Sequence, residues 1–313
     1  MTRRRFAVGA GVGAALALTW VAASADRFVV DGLSMAPGLM PGDVVATGWL
    51  PAADHFRQPR RFERWVVETG DGSAAIKRVA GLPGEHVAIH DGDLLVEGVA
   101  ALKNPALLAE VALPVAAPVA GHPSHARVSP TVVLDDAEFT TEVNRPLEPV
   151  ADVGILVTIR SGTEGSRVRI ACGDARLLWR LPPAGRYRVI AGRLDGRLVA
   201  VAWRDREATS DDERLALPHR VPAAWDVAHP WPHGLPGPTE TGSTVEVDAG
   251  GILERLVVWR DVHHRPGTTG QDAWRLGDDS YLVLGDFPTA SVDSRAWGPR
   301  PRPALRHRVT RQP

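Results

Sequence analysis

Residues 74–85, AAIKRVAGLPGE, decide the fold of this chain. Apolar and β-branched residues in such a short run are typical of a buried strand, and the Gly-Leu-Pro-Gly segment ends it in a turn. Two valines at 66–67 predict a preceding strand, and residues 87–96 predict a hairpin that follows. Lys77 lies within the central strand. If its side chain faces inward, burial lowers its pKa; the alternative is an ordinary strand lysine that faces water.

The composition restricts the chemistry of the chain. Of 36 basic residues only Lys77 and Lys103 are lysines, and a buried ammonium, unlike a guanidinium, can lose its proton near neutral pH. Because 37 acidic residues leave a net charge of −1, we expect no nucleic-acid partner. Cys172 is the single cysteine, which excludes an internal disulfide or a cysteine-rich zinc site. Apolar residues make up 44%, enough for substantial cores.

The amino terminus predicts a membrane segment. Three arginines at 3–5 precede an uncharged run, Phe6–Ala25. At about 1.5 Å per residue, this run is about as long as a hydrocarbon core is thick, roughly 30 Å. We therefore expect a single-pass anchor at residues 1–27, with its arginines in the cytoplasm. The alternative is a cleavable export signal, since residues 23–25, Ala-Ser-Ala, have the small-x-small form. Both interpretations place the rest of the chain across the membrane.

A first motif follows this segment, at residues 28–39, FVVDGLSMAPGL, and 41–45, PGDVV. Its valine-rich ends predict strands at 28–30 and 44–46, and its glycines and prolines predict turns between them. Ser34 then lies on a turn at a strand end. There a backbone N–H can point at the atom that the hydroxyl attacks, although most serines in turns have no such role.

A third motif lies near the carboxyl end, at residues 281–298, YLVLGDFPTASVDSRAWG. An apolar strand leads into a polar loop. Asp293 and Arg295, two residues apart, are expected to form a structural ion pair, and Ser291 offers a hydroxyl. Taken alone, this motif indicates a strand and a loop and implies no chemistry.

Together the three motifs resemble the conserved boxes of type I signal peptidases, the membrane-bound serine proteases that remove signal sequences. The matching parts are residues 34–43, 77–85 and 285–298, in that order and behind a membrane segment. The resemblance implies a mainly β fold, with a signal-peptidase-like β catalytic core, an N-terminal transmembrane helix and an inserted β-sandwich-like domain. It covers well under half of the chain.

By this resemblance Ser34 is the nucleophile, Lys77 is the general base and Ser291 orients the lysine amine. A serine–lysine pair can work without histidine if the lysine is neutral. The Ser34 N–H would supply an oxyanion donor, and the substrate would bind as an added strand. Four positions match residues that form shallow pockets for the small substrate residues before the scissile bond: Val30, Met35, Leu39 and Ile76.

The implied function is a membrane-bound serine endopeptidase that cleaves N-terminal signal sequences from exported preproteins with a Ser/Lys dyad. Its partners would be preprotein signal peptides and the lipid bilayer, and an association with the secretion machinery is left open. The expected location is the cell (inner) membrane, with the catalytic domain on the extracytoplasmic side. Phe287 and Ala290 stand where the family usually has asparagine. The alternative is therefore a catalytically degenerate, exported β-rich binding or structural protein on the same scaffold.

The predicted catalytic core comprises residues 28–104 and 276–313, and residues 105–275 are the predicted insertion. We interpret 105–125, rich in alanine and proline, as a linker or extended crossover. The insertion then shows strand-like runs at a spacing typical of a sandwich: Thr131–Leu134, Gly154–Arg160, Ser166–Ala171, Ala175–Leu181, Arg186–Ala191, Leu198–Trp203 and Leu253–Trp259. We expect residues 218–243 to form a long loop.

We expect no cofactor and no metal site. The pair His263-His264, with Asp261 nearby, is the one arrangement that suggests a metal. Adjacent residues of a strand face opposite sides, however, so these two histidines are not expected to share a ligand set.

Overall fold

The structure is a computed structural model that describes residues 27–47, 57–115, 120–122, 124–128, 133–135, 146–172, 175–204, 226–227, 245–267 and 270–310. The chain divides into two compact units: residues up to 87 together with those from 267 onward, and residues 88–266. The predicted anchor lies outside the described residues, except for Arg27. Within the described ranges, no helix combines the length and the apolar character that a membrane span requires.

The prediction of a mainly β fold is confirmed. The strands are β1 (Arg27–Val29), β2 (Val44–Thr47), β3 (Arg64–Glu68), β4 (Ala74–Gly81), β5 (His86–His90), β6 (Asp93–Val96), β7 (Val99–Ala100), β8 (Leu113–Val115), β9 (Ala120–His122), β10 (His125–Val128), β11 (Val153–Ser161), β12 (Ser166–Cys172), β13 (Ala175–Leu181), β14 (Gly185–Leu194), β15 (Arg197–Arg204), β16 (Asp226–Val227), β17 (Val245–Ala249), β18 (Ile252–Arg260), β19 (Ala273–Arg275), β20 (Ser280–Leu284), β21 (Arg300–Pro301) and β22 (Leu305–Thr310). The α-helices are α1 (Pro105–Val111) and α2 (Ser294–Trp297), and short 3-10 helices lie at Pro288–Ala290 and Arg302–Ala304.

The first unit is built on a seven-stranded sheet in the order β1-β2-β22-β3-β4-β20-β21. Its core lies around Trp65, which is fully buried and packs with Val79, Val283 and Leu305. The sheet brings together the two distant parts of the chain, because β4 from the lysine motif pairs with β20 from the third motif. Strands far apart in sequence thereby hold the three motifs on one scaffold.

The second unit contains a five-stranded sheet, in the order β13-β12-β17-β10-β9, and a six-stranded sheet, in the order β16-β15-β14-β11-β18-β8. Apolar side chains of both sheets meet in one core, for example Ile155 and Val157 of β11 with Ile170 of β12. Two sheets packed face to face in this way form a sandwich arrangement. The interpretation of this region as an insertion, with boundaries at 105 and 275, stays a prediction.

Most of the predicted strands of the second unit are confirmed. β11 to β15 and β18 include the runs predicted between residues 154 and 203 and at 253–259. The run predicted at Thr131–Leu134 is described only from residue 133, where Leu134 forms an isolated bridge with Pro149. Of the long loop predicted at 218–243, only 226–227 lie within the described residues, and they form β16.

The prediction of a linker or extended crossover at 105–125 is wrong for its first part, which forms helix α1. The Asn104 side chain caps this helix by accepting from the Leu107 N–H at 2.9 Å, and Pro105 occupies the first turn, where it is tolerated. The buried Leu108 packs against Trp259 of β18. Helix α1 therefore packs against the six-stranded sheet through Leu108.

Candidate active site

Ser34 lies in the connection between β1 and β2, residues 30–43 of the first unit, which is called the serine turn. The turn is closed at its base by two backbone hydrogen bonds, from Val30 N–H to Asp43 O and from Gly42 N–H to Val30 O, both 2.8 Å. The Ser34 side chain is half-buried. Its backbone N–H donates to no acceptor within the described part of the chain. The turn thus presents a hydroxyl and an N–H donor at the same residue.

Lys77 and Ser34 lie in direct contact. The Lys77 Nζ donates to the Ser34 Oγ at 2.9 Å, although 43 residues separate the two. Lys77 is in the buried half of β4, where its neighbour across the β3–β4 ladder is Trp65. Only 3% of the lysine is exposed to solvent. The contact is therefore made in surroundings from which water is largely excluded.

Burial lowers the pKa of Lys77 to about 8. Desolvation is the dominant cause, because it destabilises the charged ammonium. The carboxylates of Asp293 and Asp286 oppose this effect by raising the pKa, and Arg295 adds to the lowering. A substantial fraction of this lysine is neutral near pH 8, so it can accept a proton there.

The third motif holds the Ser34 turn in place through its backbone. β20 pairs with β4 so that Leu284 lies opposite Arg78, and the chain then reaches Gly285. A Cβ atom at Gly285 would lie 2.5 Å from the Ser34 carbonyl oxygen and 2.2 Å from the Ser291 Oγ. The N–H of Phe287 donates to that same carbonyl at 3.1 Å. Glycine is thus required at 285 for the close approach of the two segments.

Ser291 lies beside this contact, and its hydroxyl donates to Asp293 Oδ2 at 2.7 Å. Its predicted role in orienting the Lys77 amine stays a prediction. Asp293 is fully buried and forms a two-pronged ion pair with Arg295, at 2.8 Å from Nε and 2.7 Å from Nη2. The Gly285 N–H also donates to Asp293, at 2.9 Å. This carboxylate therefore fixes the loop that carries Ser291.

A second buried ion pair, which the sequence analysis missed, joins the lysine motif to the third motif. Arg78 donates to Asp286 from Nε at 2.7 Å and from Nη2 at 2.6 Å. Arg78 also donates to the Phe62 carbonyl at 2.7 Å. The signal was present in the sequence, since Arg78 follows Lys77 and Asp286 follows Gly285. Arg78 is positively charged and Asp286 is negatively charged, and each lies in a motif that resembles the signal peptidase family.

The four predicted pocket residues lie in one apolar cluster of the first unit. Val30, Met35 and Leu39 are buried, and Ile76 is half-buried against them. Met35 is only 1% exposed. Side chains from the serine turn and from β4 thus meet next to the Ser34–Lys77 contact, and whether they bind substrate stays a prediction.

Four aspartates of the second unit form the one group of described residues that could hold a metal ion. The ligand atoms of Asp93, Asp152, Asp195 and Asp261 lie within 4.8 Å of one another. Lys103 already provides a cation there: its ammonium pairs with Asp195 and, at 2.8 Å, with Asp261. The cluster is therefore a buried ion network built around the second lysine, which the sequence analysis did not foresee.

The charges of this network shift one another's pKa values. Burial, together with the neighbouring Asp195 carboxylate, raises the pKa of Asp152 to about 6. Burial also raises the pKa values of Asp93 and Asp261. Burial alone would lower the pKa of Lys103, but the surrounding carboxylates raise it above its ordinary value. Lys103 thus stays charged, in contrast to Lys77.

Comparison with known families supports the resemblance drawn from the motifs. Residues 3–126 match the family model for signal peptidase, peptidase S26. No curated protein matches the chain. The matched range includes the serine and lysine motifs, whereas the third motif lies beyond it. Over residues 3–126, less than half of its length, the chain is therefore similar to signal peptidases of the peptidase S26 family, which supports a peptidase as its kind of protein.

Proposed function

We propose that this protein is a membrane-bound serine endopeptidase that cleaves N-terminal signal sequences from exported preproteins with Ser34 and Lys77. The observation that carries the proposal is the 2.9 Å hydrogen bond between Lys77 Nζ and Ser34 Oγ. The match of residues 3–126 to the signal peptidase family model supports it, since the matched range includes both residues. The proposed location is the cell membrane, with the active site on its extracytoplasmic side.

Lys77 acts as the general base. A pKa of about 8 leaves roughly a tenth of the lysine neutral at pH 7 and half of it neutral at pH 8. The neutral amine accepts the Ser34 proton while the serine oxygen forms a bond to the scissile carbonyl carbon. The resulting ammonium then gives this proton to the departing amine as the peptide bond breaks. A water molecule, deprotonated by the same lysine, hydrolyses the acyl-enzyme and frees Ser34.

The Ser34 N–H stabilises the oxyanion that forms during these steps. This N–H makes no hydrogen bond within the described part of the chain, so it is available to donate to the substrate oxyanion. The Ser34 carbonyl on the other side of the residue is fixed by the Phe287 N–H at 3.1 Å. The turn is thereby held in one orientation, which reduces the reorganisation that the reaction requires.

The apolar cluster beside Ser34 selects small side chains in the substrate. Met35 and Leu39 of the serine turn are both buried in this cluster. Val30 and Ile76 complete the apolar surface. A binding site of this kind accepts alanine before the scissile bond and excludes bulky residues, which is the pattern at the ends of signal sequences.

The test is cleavage of a purified preprotein by the full-length protein. We expect the wild type to release the mature product and Ser34→Ala and Lys77→Arg to release none, because a guanidinium cannot act as a base. Ser73→Ala, in the exposed turn between β3 and β4, is the matched control and should retain activity. Cleavage by either active-site variant would disprove the dyad. A wild type without activity would favour the catalytically degenerate alternative.

A further inference from the structure

One end of the second unit gathers the three short connections β11–β12, β13–β14 and β17–β18. Backbone hydrogen bonds join them: Ala184 N–H donates to Gly162 O at 3.0 Å, and Gly250 N–H donates to Arg167 O at 2.8 Å. This surface is called the tip, defined as residues 160–167, 180–186 and 250–254. Its side chains come from both sheets of the unit.

The tip carries an excess of positive charge. It contains four arginines and two glutamates. Arg160 and Arg186 both pair with Glu254. Arg167 and Arg180 are different, because both are exposed and neither pairs with a carboxylate in the described part of the chain. Among the described residues, neither Arg167 nor Arg180 therefore has a counter-charge.

These two arginines face each other directly. Arg167 of β12 is the register partner of Arg180 of β13. Directly opposite residues of an antiparallel pair have Cβ atoms about 5 Å apart, and like charges there destabilise the sheet. A phosphate bound between two guanidinium groups would turn this repulsion into attraction, since the planar fork of arginine matches phosphate geometry.

Exposed apolar side chains accompany the charges. Ile252 at the start of β18 is 56% exposed, and Leu178, two residues before Arg180 on the same face of β13, is 70% exposed. Residues 182–184, Pro-Pro-Ala, are exposed between β13 and β14. Arginines beside exposed apolar groups are typical of surfaces that bind an anionic bilayer interface.

We propose that the tip docks on an anionic lipid surface, where Arg167 and Arg180 bind headgroup phosphates and Ile252 enters the interface. Charge complementarity favours this occupant. In a symmetric contact with a second copy, the same arginines of both copies would meet and repel one another. The inference depends on the tip alone and is independent of the proposed peptidase activity.

The test places a probe at the tip of the full-length protein. Ile252→Cys in a Cys172→Ser background carries an environment-sensitive fluorophore, and the protein is reconstituted into phosphatidylcholine vesicles with or without phosphatidylglycerol. We expect a blue shift only with the anionic lipid, and its loss at about 1 M salt, where the Debye length is about 3 Å. Arg167→Gln with Arg180→Gln should lower the ratio of docked to free tip about 25-fold, about fivefold per arginine.

Matched variants separate charge from folding. Arg60→Gln with Arg275→Gln removes two exposed arginines of the first unit and should keep the shift. Arg167→Lys with Arg180→Lys keeps both charges and should retain most of the docking. The proposal is overturned if neutral vesicles give the same shift, or if the glutamine pair responds like the wild type. It is also overturned if free inorganic phosphate or polyglutamate reproduces the shift without vesicles, because the site would then bind a small anion or an acidic protein.

Discussion

Arg78 and Asp286, 208 residues apart in the sequence, are joined by two parallel hydrogen bonds of 2.7 and 2.6 Å. The pair is buried and connects β4 to the loop that follows β20. Lys77 precedes Arg78, so the same pair fixes the strand segment that carries the lysine. The third motif thereby contributes to the geometry of the site through the Asp286 side chain, in addition to the hydrogen bond from Phe287 N–H to the Ser34 carbonyl.

Breaking this pair should destabilise the first unit. Arg78→Met leaves the Asp286 carboxylate buried without its main partner, so we expect a loss of about 3–5 kcal/mol in the free energy of unfolding. Urea denaturation measures this quantity. Arg275→Gln, at an exposed strand position, serves as the control and should change it by less than about 0.5 kcal/mol. Equal effects of the two substitutions would show that the pair contributes no stability.

The rate of cleavage should follow the ionisation of Lys77. Because only the neutral amine accepts the serine proton, we expect the rate to rise about tenfold per pH unit up to the pKa of about 8 and then to level off. Single-turnover cleavage across the pH range measures the profile. A rate that falls as the pH rises from 6 to 8 would contradict the assignment of this lysine as the base.

Asp293→Asn should move that profile to lower pH. The Asp293 carboxylate raises the pKa of Lys77, so removal of its negative charge leaves burial and Arg295, which lower this pKa, opposed by Asp286. We expect the midpoint of the rate profile to shift toward acid even if the maximal rate falls. A shift toward alkaline pH, or none, would show that Asp293 does not act on the lysine.

Gly285→Ala should impair cleavage by displacing the Ser34 turn. The new methyl group would lie 2.5 Å from the Ser34 carbonyl oxygen, so one of the two segments must move. A displacement of about 1 Å near a reacting group can lower the rate about 100-fold. Gly277→Ala is the matched control, because its Cβ would meet only the Ser280 Oγ, at 3.6 Å. Similar rates for both variants would disprove the packing argument.

Lys103→Met should destabilise the second unit in a pH-dependent way. Burial raises the folded-state pKa of Asp152 to about 6, above the ordinary value of 3.8. The stability linked to such a group is present at low pH and is lost as the pH rises through the folded-state pKa. Without the Lys103 ammonium, the buried aspartates are charged and uncompensated at high pH, which destabilises the folded state. At low pH they are protonated, so their burial costs less.

We therefore expect Lys103→Met to cost about 3–5 kcal/mol near pH 8 and less near pH 5. Urea denaturation at both pH values tests this, and Arg167→Gln, which removes an exposed charge from the same unit, should show little effect at either. A loss that is larger near pH 5 than near pH 8 would contradict the proposed charge balance.

The strands of both units could be predicted because each carries its own local signal. β12, for instance, alternates exposed Arg167 and Arg169 with buried Val168 and Ile170. Helix α1 was missed because a segment rich in alanine and proline can be either a linker or the start of a helix. The Asn104 cap was a usable signal, and the packing of Leu108 against Trp259 decided the outcome.

The contacts of the candidate site could not be predicted from local sequence patterns, because they join residues that are distant in the chain. The approach of Lys77 to Ser34 depends on long-range strand pairing, so only the family resemblance suggested it. The aspartate cluster around Lys103 unites residues from five separate segments, none of which forms a motif. Charge pairing between distant residues leaves no periodic pattern in a sequence, and for that reason the Arg78–Asp286 pair was also missed.

The solvent exposure of the two lysines has a practical consequence. Lys77 is 3% and Lys103 is 6% exposed, and the chain has no other lysine. Acylating reagents that modify ε-amino groups will find neither of them accessible while the protein is folded. The extent of lysine acylation would consequently report local opening, with Lys77 reporting on the first unit and Lys103 on the second.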